Sequence, residues 1–390
     1  MANNNNNKIL NVPNKRFPEF TGEWKKTSVT ELLDFYSTNS LAWEQLNYEN
    51  GEIMNLHYGL IHKGLPTLVD LEKECLPFIN HNSVPKNYYL CQNGDVAFAD
   101  ASEDTNDVAK IIEFKNCADR KVVCGLHTIH GRDKSDVTAI GFKGYAFSSD
   151  SFHKQIRRIA QGTKIYSINT KNFNETFIGI PSKEEQSKIA RLLSLLDQRI
   201  STQNKIINKL ESLIKGLGEE IANSAYANTM LKRCLECHTS ALQESDVNSR
   251  GNYPVYGANG IVGYTETYQA ECDAILIIKD GSSVGSVSTV CGKFSVIGTL
   301  NYLTPKVNYS LHYIYFCLKS FNFYPYKTGM AIPHIYFKDY SNAKIYCPSF
   351  EIQCTLAKGL MNIESKIKIE RKYLTSLIKQ KTFLLQQMFI

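Results

Sequence analysis

The sequence predicts an α+β protein with two globular mixed α/β domains and two long helices, organised as an internal repeat. Three observations lead there. The chain is longer than one hydrophobic core supports. A helical segment recurs in register 167 positions later, and the two stretches outside it share a strand-and-turn texture while differing in sequence.

At 390 residues and 43% apolar content, the chain is long enough for two or more cores and ordinary in composition for a folded soluble protein. The Asn run within Met1–Asn7 has no apolar stretch behind it and reads as neither a signal peptide nor a membrane anchor. No run of apolar residues is long enough for a transmembrane helix. Eleven cysteines without a secretory leader read as free thiols, which places the chain in a reducing cytoplasm. The net charge of +6 is compatible with an anionic partner such as nucleic acid, but too small to decide one. Function therefore has to be sought in the order of the residues.

The repeat is the strongest signal. Pro181-Ser182-Lys183-Glu184-Glu185-Gln186 returns as Pro348-Ser349-Phe350-Glu351-Ile352-Gln353. Before it, the same offset aligns Gly162 with Gly329, Ile165 with Ile332, Ile168 with Ile335, Lys171 with Lys338 and Ile178 with Ile345. After it, Ala190 aligns with Ala357, Leu193 with Leu360, Ile200 with Ile367, Leu210 with Leu377 and Leu217 with Leu384.

Each copy runs into a helix whose apolar residues alternate steps of three and four, the a/d pattern of a coiled coil. The first seam is Ile189, Leu193, Leu196, Ile200, Gln203, Ile207, Leu210, Ile214, Leu217 and Ile221, polar only at Gln203. The second is Leu356, Leu360, Ile363, Ile367, Glu370, Leu374, Leu377, Lys381, Leu384 and Met388, frayed at Glu370 and Lys381. So narrow a stripe needs a partner helix, and the two copies are each other's obvious partners. Ser182 is placed to cap the first helix, with Glu185 reaching back as in a capping box and Pro181 blocking helix before it. The second copy keeps Ser349 but has Ile352 in place of the glutamate, so its box is incomplete. A helix of about forty residues spans ~60 Å, which would hold whatever sits at its ends well apart.

These features divide the chain into an N-terminal segment (1–22), a first domain (23–180), a central helix (181–223), a second domain (224–347) and a C-terminal helix (348–390). Asp95-Val96-Ala97-Phe98-Ala99-Asp100 in the first domain reads as a strand followed by a turn, as does Ala274-Ile275-Leu276-Ile277-Ile278-Lys279-Asp280-Gly281 in the second. A repeated frame with unlike inserts suggests two related tasks on different targets.

Particular residues carry a resemblance. Gly94-Asp95-Val96-Ala97-Phe98-Ala99-Asp100-Ala101-Ser102-Glu103-Asp104, Gly125-Leu126-His127-Thr128-Ile129 and Gln161-Gly162-Thr163-Lys164-Ile165 resemble the first target-recognition domain of type I restriction-modification specificity subunits. Tyr253-Pro254-Val255-Tyr256-Gly257-Ala258-Asn259-Gly260-Ile261-Val262-Gly263-Tyr264, with Lys279-Asp280-Gly281 and Gly298-Thr299-Leu300, is similar to another domain variety of that family. The Pro-Ser and Glu-x-Gln helix openings resemble its conserved regions, and Arg16-Phe17-Pro18-Glu19-Phe20 with Trp24 resembles its usual beginning. The incomplete second capping box, and Lys279 where relatives commonly carry Arg, are departures. The resemblance implies a pseudo-twofold molecule with antiparallel helices. Each domain would read one half of a split, asymmetric DNA site, and the helices would set the unread spacer. It also implies partners: double-stranded DNA, two methyltransferase subunits and two restriction subunits. S-adenosylmethionine, ATP and Mg would belong to those subunits, with no cofactor on this chain.

Other motifs are weaker. Cys234-Leu235-Glu236-Cys237-His238 spells a haem attachment pattern, but lacks an export signal and the second ligand pair that zinc wants. Gly257, Gly260 and Gly263, like Gly281 and Gly285, lack the Lys-Ser/Thr ending of a phosphate loop and read as turn glycines. Asp100 with Glu113 and Lys115 echoes a nuclease metal site in a pattern short enough to arise by accident. There is no Asn/Asp-Pro-Pro-Tyr/Phe motif of an adenine methyltransferase, so catalysis is expected from partner subunits and no metal or catalytic residue is assigned. His127 and His130 read as satisfied or surface histidines before they read as ligands.

For DNA contact the candidates are His127, Arg132 and Lys134 in the first domain, and Tyr256, Asn259, Lys279, Ser282, Ser283 and Lys327 in the second. Basic side chains near turns pair with phosphate and read guanine, and Asn reads adenine. Three alternatives make distinct predictions. A coiled-coil interaction scaffold would show no salt-dependent DNA binding, a nuclease would cleave DNA with Mg²⁺, and a specificity subunit of a related type II system would share the architecture but not the neighbouring genes.

Overall fold

The computed structural model describes residues 11–222 and 226–390. The Asn run and the expected boundary at 223/224 lie outside them. Two compact units account for the chain: the residues up to Thr202 together with Leu374–Ile390, and Gln203–Tyr373. Each unit therefore takes one domain and a stretch of both long helices.

The first unit is built on a five-stranded sheet ordered Leu33–Tyr36, Thr128–Asp133, Val96–Ala99, Ile111–Lys115 and Leu68–Asp70, antiparallel except at its last junction. The middle strand, Val96–Ala99, is buried at every position. Side chains of a strand alternate between faces. Val96 and Phe98 accordingly join a core containing Phe142, Phe147, Phe152 and Phe173, while Ala97 and Ala99 join another with Met54, Leu56 and Phe114. A continuous apolar run is what such a doubly covered strand requires.

The second unit repeats the device. Its sheet is ordered Leu235–Thr239, Leu300–Pro305, Ala274–Ile278 and Val287–Val290, antiparallel throughout. Ile275 and Ile277 face a core with Tyr313, Phe316 and Phe323, while Ala274, Leu276 and Ile278 face one with Phe294 and Val296. A second sheet, ordered Gly260–Thr265, Tyr253–Gly257, Lys293–Val296 and Ala270–Glu271, covers that face.

In each unit a two-stranded pair closes the block just before its helix. Lys25–Ser28 pairs antiparallel with Phe177–Ile180, and Thr229–Met230 with Lys344–Ile345. The helices that follow are Lys183–Ala222 and Phe350–Gln387, and they pair antiparallel within each unit. In the first unit Ile189 and Leu193 share a core with Leu384, Leu385 and Met388. In the second, Ile214 and Ile221 pack with Leu360 and Ala357.

The frayed positions of the seam are answered across the pair. Lys381 binds Asp197 at 2.6 Å, and Asp197 also accepts from the Tyr145 hydroxyl at 2.9 Å. The Gln203 amide donates to the Glu370 carbonyl at 3.2 Å and to its carboxylate. The apolar seam is interrupted where it was expected to be continuous: Leu217 and Leu356 are exposed, and Ala357 is buried beside Leu356.

The helix openings also correct the expectation. The Ser182 hydroxyl accepts from the Glu185 amide at 3.3 Å, but the Glu185 carboxylate is held by Arg16, with Nε and Nη2 both at 2.7 Å, instead of reaching back. A bidentate charge-assisted pair is stronger than a neutral cap bond. The repeated glutamine does what the motif did not announce. Gln186 donates to the Pro181 carbonyl at 2.9 Å and accepts from the Ala139 amide at 2.7 Å. Gln353 donates to the Pro348 carbonyl at 2.9 Å and accepts from the Ser310 amide at 3.0 Å. Both glutamines are buried, so each helix start is riveted to its own domain by the same side chain. Among the described residues no helix is long and apolar enough to cross a membrane.

Candidate nucleic-acid interface

The apolar central strand of each sheet ends in a polar residue: Asp100 follows Val96–Ala99, and Lys279 follows Ala274–Ile278. Both ends are tethered alike. The Asp100 amide donates to the His127 carbonyl at 3.1 Å, and the Lys279 amide to the Thr299 carbonyl at 2.9 Å. The Asp100 carbonyl accepts from the Ile168 amide and the Lys279 carbonyl from the Ile335 amide, each at 2.9 Å. Ile168 and Ile335 stand 167 positions apart. The two strand ends are thus equivalent places of the repeat.

A repeated loop borders each of them. Gln161 and Ser167 exchange amide-to-carbonyl bonds at 3.1 and 2.8 Å, as do Thr328 and His334 at 2.9 and 2.8 Å. Gly162 and Gly329 open these loops at φ +132° and +87°. A Cβ there would lie 1.9 Å from the Ile165 carbonyl oxygen, or 2.3 Å from that of Ile332, so only glycine fits. The loops present Ile165, 60% exposed, and Ile332, 65% exposed, to solvent. The sequence carried both pairs in its repeat, but nothing there distinguished a loop tip from a core position.

In the first unit His127 sits at φ +54° in the turn before Thr128–Asp133. Its Nδ1 lies 3.1 Å from Asp100 Oδ1 and its ring meets Tyr58 edge-on. Burial pushes the Asp100 carboxyl up, against the pull of His127. Asp100 and His127 line a cleft of about 600 Å³ with Asn39, Tyr88 and Tyr89. The exposed Tyr88 and Tyr89 rings were not among the expected contacts.

Arg132 is turned inward. Its Nε and Nη2 each bind Asp95 at 2.8 Å, Nη2 also donates to the Leu90 carbonyl at 2.9 Å, and the guanidinium stacks 4.8 Å over Tyr36. Lys134 donates to the Thr30 carbonyl at 2.8 Å and lies 3.4 Å from Asp34. His127 is therefore the expected residue that the cleft collects.

In the second unit Gly281 donates to the Pro333 carbonyl at 2.9 Å, which seats the repeated loop on the turn that carries the exposed Ser282 and Ser283. Lys327 is exposed after the Tyr324–Tyr326 turn, in a cleft of about 480 Å³ shared with Gly285, Asn322 and the exposed Tyr324. Tyr256 is half-buried, its ring edge-on to Phe294, and its carbonyl accepts from the Ile297 amide at 3.0 Å. It therefore flanks the same segment that holds Lys279. Asn259 is exposed at the turn between Tyr253–Gly257 and Gly260–Thr265.

The rival motifs do not assemble. Glu113 is fully buried, accepting from the Gly141 and Gly144 amides at 2.7 Å each, with Lys143 at 3.8 Å. Burial pushes its carboxyl up to about 7, against Lys143 and the two amides. Lys115 pairs with Asp70 at 3.2 Å and Asp100 with His127, so the three have separate partners. Cys234 faces Cys347 at 3.8 Å, whereas His238 bonds Thr304 and stacks on Tyr302.

Comparison with known proteins agrees with this repeat. A sequence profile described as the type I restriction modification DNA specificity domain matches residues 22–212 and again 236–379. The chain belongs to this family. A proposed type I specificity subunit of Mycoplasma genitalium is 25% identical over 357 residues, covering 82% of this chain and 89% of that one. A proposed type I restriction enzyme specificity subunit of Haemophilus influenzae is 28% identical over 120 residues, and the match covers 31% of that protein and 30% of this one. Among solved structures, the type I restriction-modification S subunit from M. genitalium superposes with a TM-score of 0.62 at 18% identity, covering 97% of this chain and 99% of that one. A chain from a structural study of assembly and conformational transition in the type I system superposes at 0.53 with 16% identity, covering 96% and 98%. These likenesses establish that the specificity-domain fold extends over both units.

Proposed function

We propose that this chain is the DNA-sequence specificity subunit of a type I restriction-modification complex, with each unit reading one half of a split, asymmetric site. The observation that carries the reading is the equivalence of the two strand ends. Asp100 with His127, and Lys279 with Thr299, occupy matching places beside matching loops, yet offer different side chains. Equivalent frames with unlike chemistry suit two different half-sites.

In the first unit His127 and the cleft tyrosines would face DNA, with Arg132 and Lys134 holding the strand behind them. In the second, Lys279, Ser282, Ser283 and Lys327 would do so, with Tyr256 and Asn259 on the neighbouring turn. The domains would be the expected segments 23–180 and 224–347, with the helices 181–223 and 348–390 setting the spacer.

Catalysis would belong to two methyltransferase and two restriction subunits, which would also hold S-adenosylmethionine, ATP and Mg. Apolar side chains stand exposed along the helices and would be available to such partners: Leu195, Ile206 and Leu213 on one, and Ile369, Ile378 and Phe383 on the other, are each between 39% and 60% exposed. Methylome sequencing with and without the gene tests the reading. One split, non-palindromic motif should disappear with it; a methylome that does not change would sink the proposal.

A further inference from the structure

We propose that Cys91, Cys124 and His130 form a binding site for a thiophilic divalent cation of the zinc class, a site that goes beyond DNA reading. The three residues come from the loop ahead of Val96–Ala99, the end of Val122–Cys124 and the strand Thr128–Asp133. One donor atom from each lies within 4.8 Å of the others, and all three residues are buried. The two sulfurs are 3.6 Å apart. A disulfide would need ~2.05 Å. Two thiolates sharing a tetrahedral ion at ~2.3 Å each stand about 3.8 Å apart.

The histidine supplies the independent observation. Its side chain is 0% exposed, and Nε2 is bound to Asp95 at 2.7 Å. Nδ1 is buried with no hydrogen-bond partner. A ring nitrogen sealed from water without a partner is costly and uncommon in a native interior. With the Nε2 proton donated to Asp95, Nδ1 carries the free lone pair a cation requires. Asp95 is itself fixed by both Arg132 bonds and by the Gln92 amide at 2.8 Å. Metal-binding histidines are oriented by such a carboxylate on the opposite ring nitrogen.

Two buried thiols sharing one proton would account for the sulfur separation, but not for the orphaned nitrogen. Binding would displace one proton from each thiol, and two thiolates would neutralise the ion. Three protein ligands leave the fourth position to a water that would be bound with the ion, and Cys124 borders the cleft that also holds His127. The ion would pin the start of the His127 turn to the edge of the central strand. Its role is structural, at the wall of the proposed DNA-reading cleft. The sequence hides the site because its ligands are spaced 33 and 6 residues apart, unlike any paired-cysteine motif.

The test uses the full chain, stripped by chelator and titrated with Zn²⁺ against a chromophoric competitor, then loaded with Co²⁺. One tightly held zinc per chain is expected, together with the thiolate charge-transfer and tetrahedral bands of cobalt. Both should vanish in Cys91→Ser/Cys124→Ser and persist in Cys75→Ser/Cys354→Ser, which alters exposed thiols. His130→Gln should weaken zinc at least ~tenfold. Substoichiometric zinc in the unaltered chain, cobalt without a thiolate band, or zinc retained by the double variant would each overturn the proposal. So would a Cys91–Cys124 disulfide in protein purified under reducing conditions. If the variants do not fold, stoichiometry and cobalt spectrum of the unaltered chain still decide.

Discussion

Asp95 and Glu113 are buried carboxylates a short way apart in sequence, and their partners send them in opposite directions. Asp95 is 1% exposed. Burial alone would raise its pKa, but the bonds from Arg132 and His130 overcome that and hold it below the usual range. Asp95→Asn should cost the first unit about 3 kcal/mol, because Arg132 is left partly buried without its charge partner; urea unfolding at neutral pH measures it. At Glu113 burial wins, and the folded unit holds that proton more tightly than the unfolded chain does. Between the ordinary value of 4.5 and about 7 the unfolded chain releases it first, so stability falls as pH rises through that window. The loss is on the order of 3 kcal/mol. Glu113→Gln should flatten this slope, seen as urea midpoints at about pH 5 and about pH 8 drawing together relative to the unaltered chain. A full slope surviving the Glu113→Gln change would place the titration elsewhere.

At the scale of elements, each long helix begins at a buried glutamine that satisfies one amide of the domain before it. Gln186→Ala strands the Ala139 amide, and Gln353→Ala that of Ser310. Each change should cost about 2 kcal/mol in its own unit, as a buried donor left unmade does. Hydrogen exchange should show faster opening at Ala139 or Ser310 respectively, with the other unit unaffected. The helices were legible in the sequence because a period of 3.5 survives in Ile189, Leu193 and Leu196 whatever the domains do. The central strands were legible because a doubly covered strand has to be an unbroken apolar run. The partner of Glu185 was not, since Arg16 reaches it from 169 positions away and no local spacing encodes that bond. The candidate site was legible only in part. Type and turn context singled out His127 and Lys327 as exposed candidates, whereas the contact of Arg132 with Asp95, 37 positions away, is encoded in no local spacing. The loop tips at Ile165 and Ile332 were visible as repeated letters without the exposure that makes them surface.

For the whole molecule, the closing strand pairs decide what can be exchanged. Lys25–Ser28 lies against Phe177–Ile180 and Thr229–Met230 against Lys344–Ile345, so each domain leaves the frame where it enters it. Chain ends held together in this way tolerate replacement of what lies between them. Putting another family member's block in place of the stretch between Ser28 and Phe177 should therefore leave the second unit and the helices folded. Under the proposed function it should change one half of the methylated motif and keep the other half and the spacer, as read by methylome sequencing. A change in both halves would mean that the two units do not read independently. Phosphate contact is separable from this. With a net charge of only +6, affinity should depend on local cations such as Lys327 and not on overall attraction. Lys327→Ala should weaken binding to cognate and unrelated duplexes alike and reduce the slope of log K against log salt by about 1. Loss confined to one sequence would instead make Lys327 a reader of bases, and a slope already near zero in the unaltered complex would favour a scaffold that does not bind DNA at all.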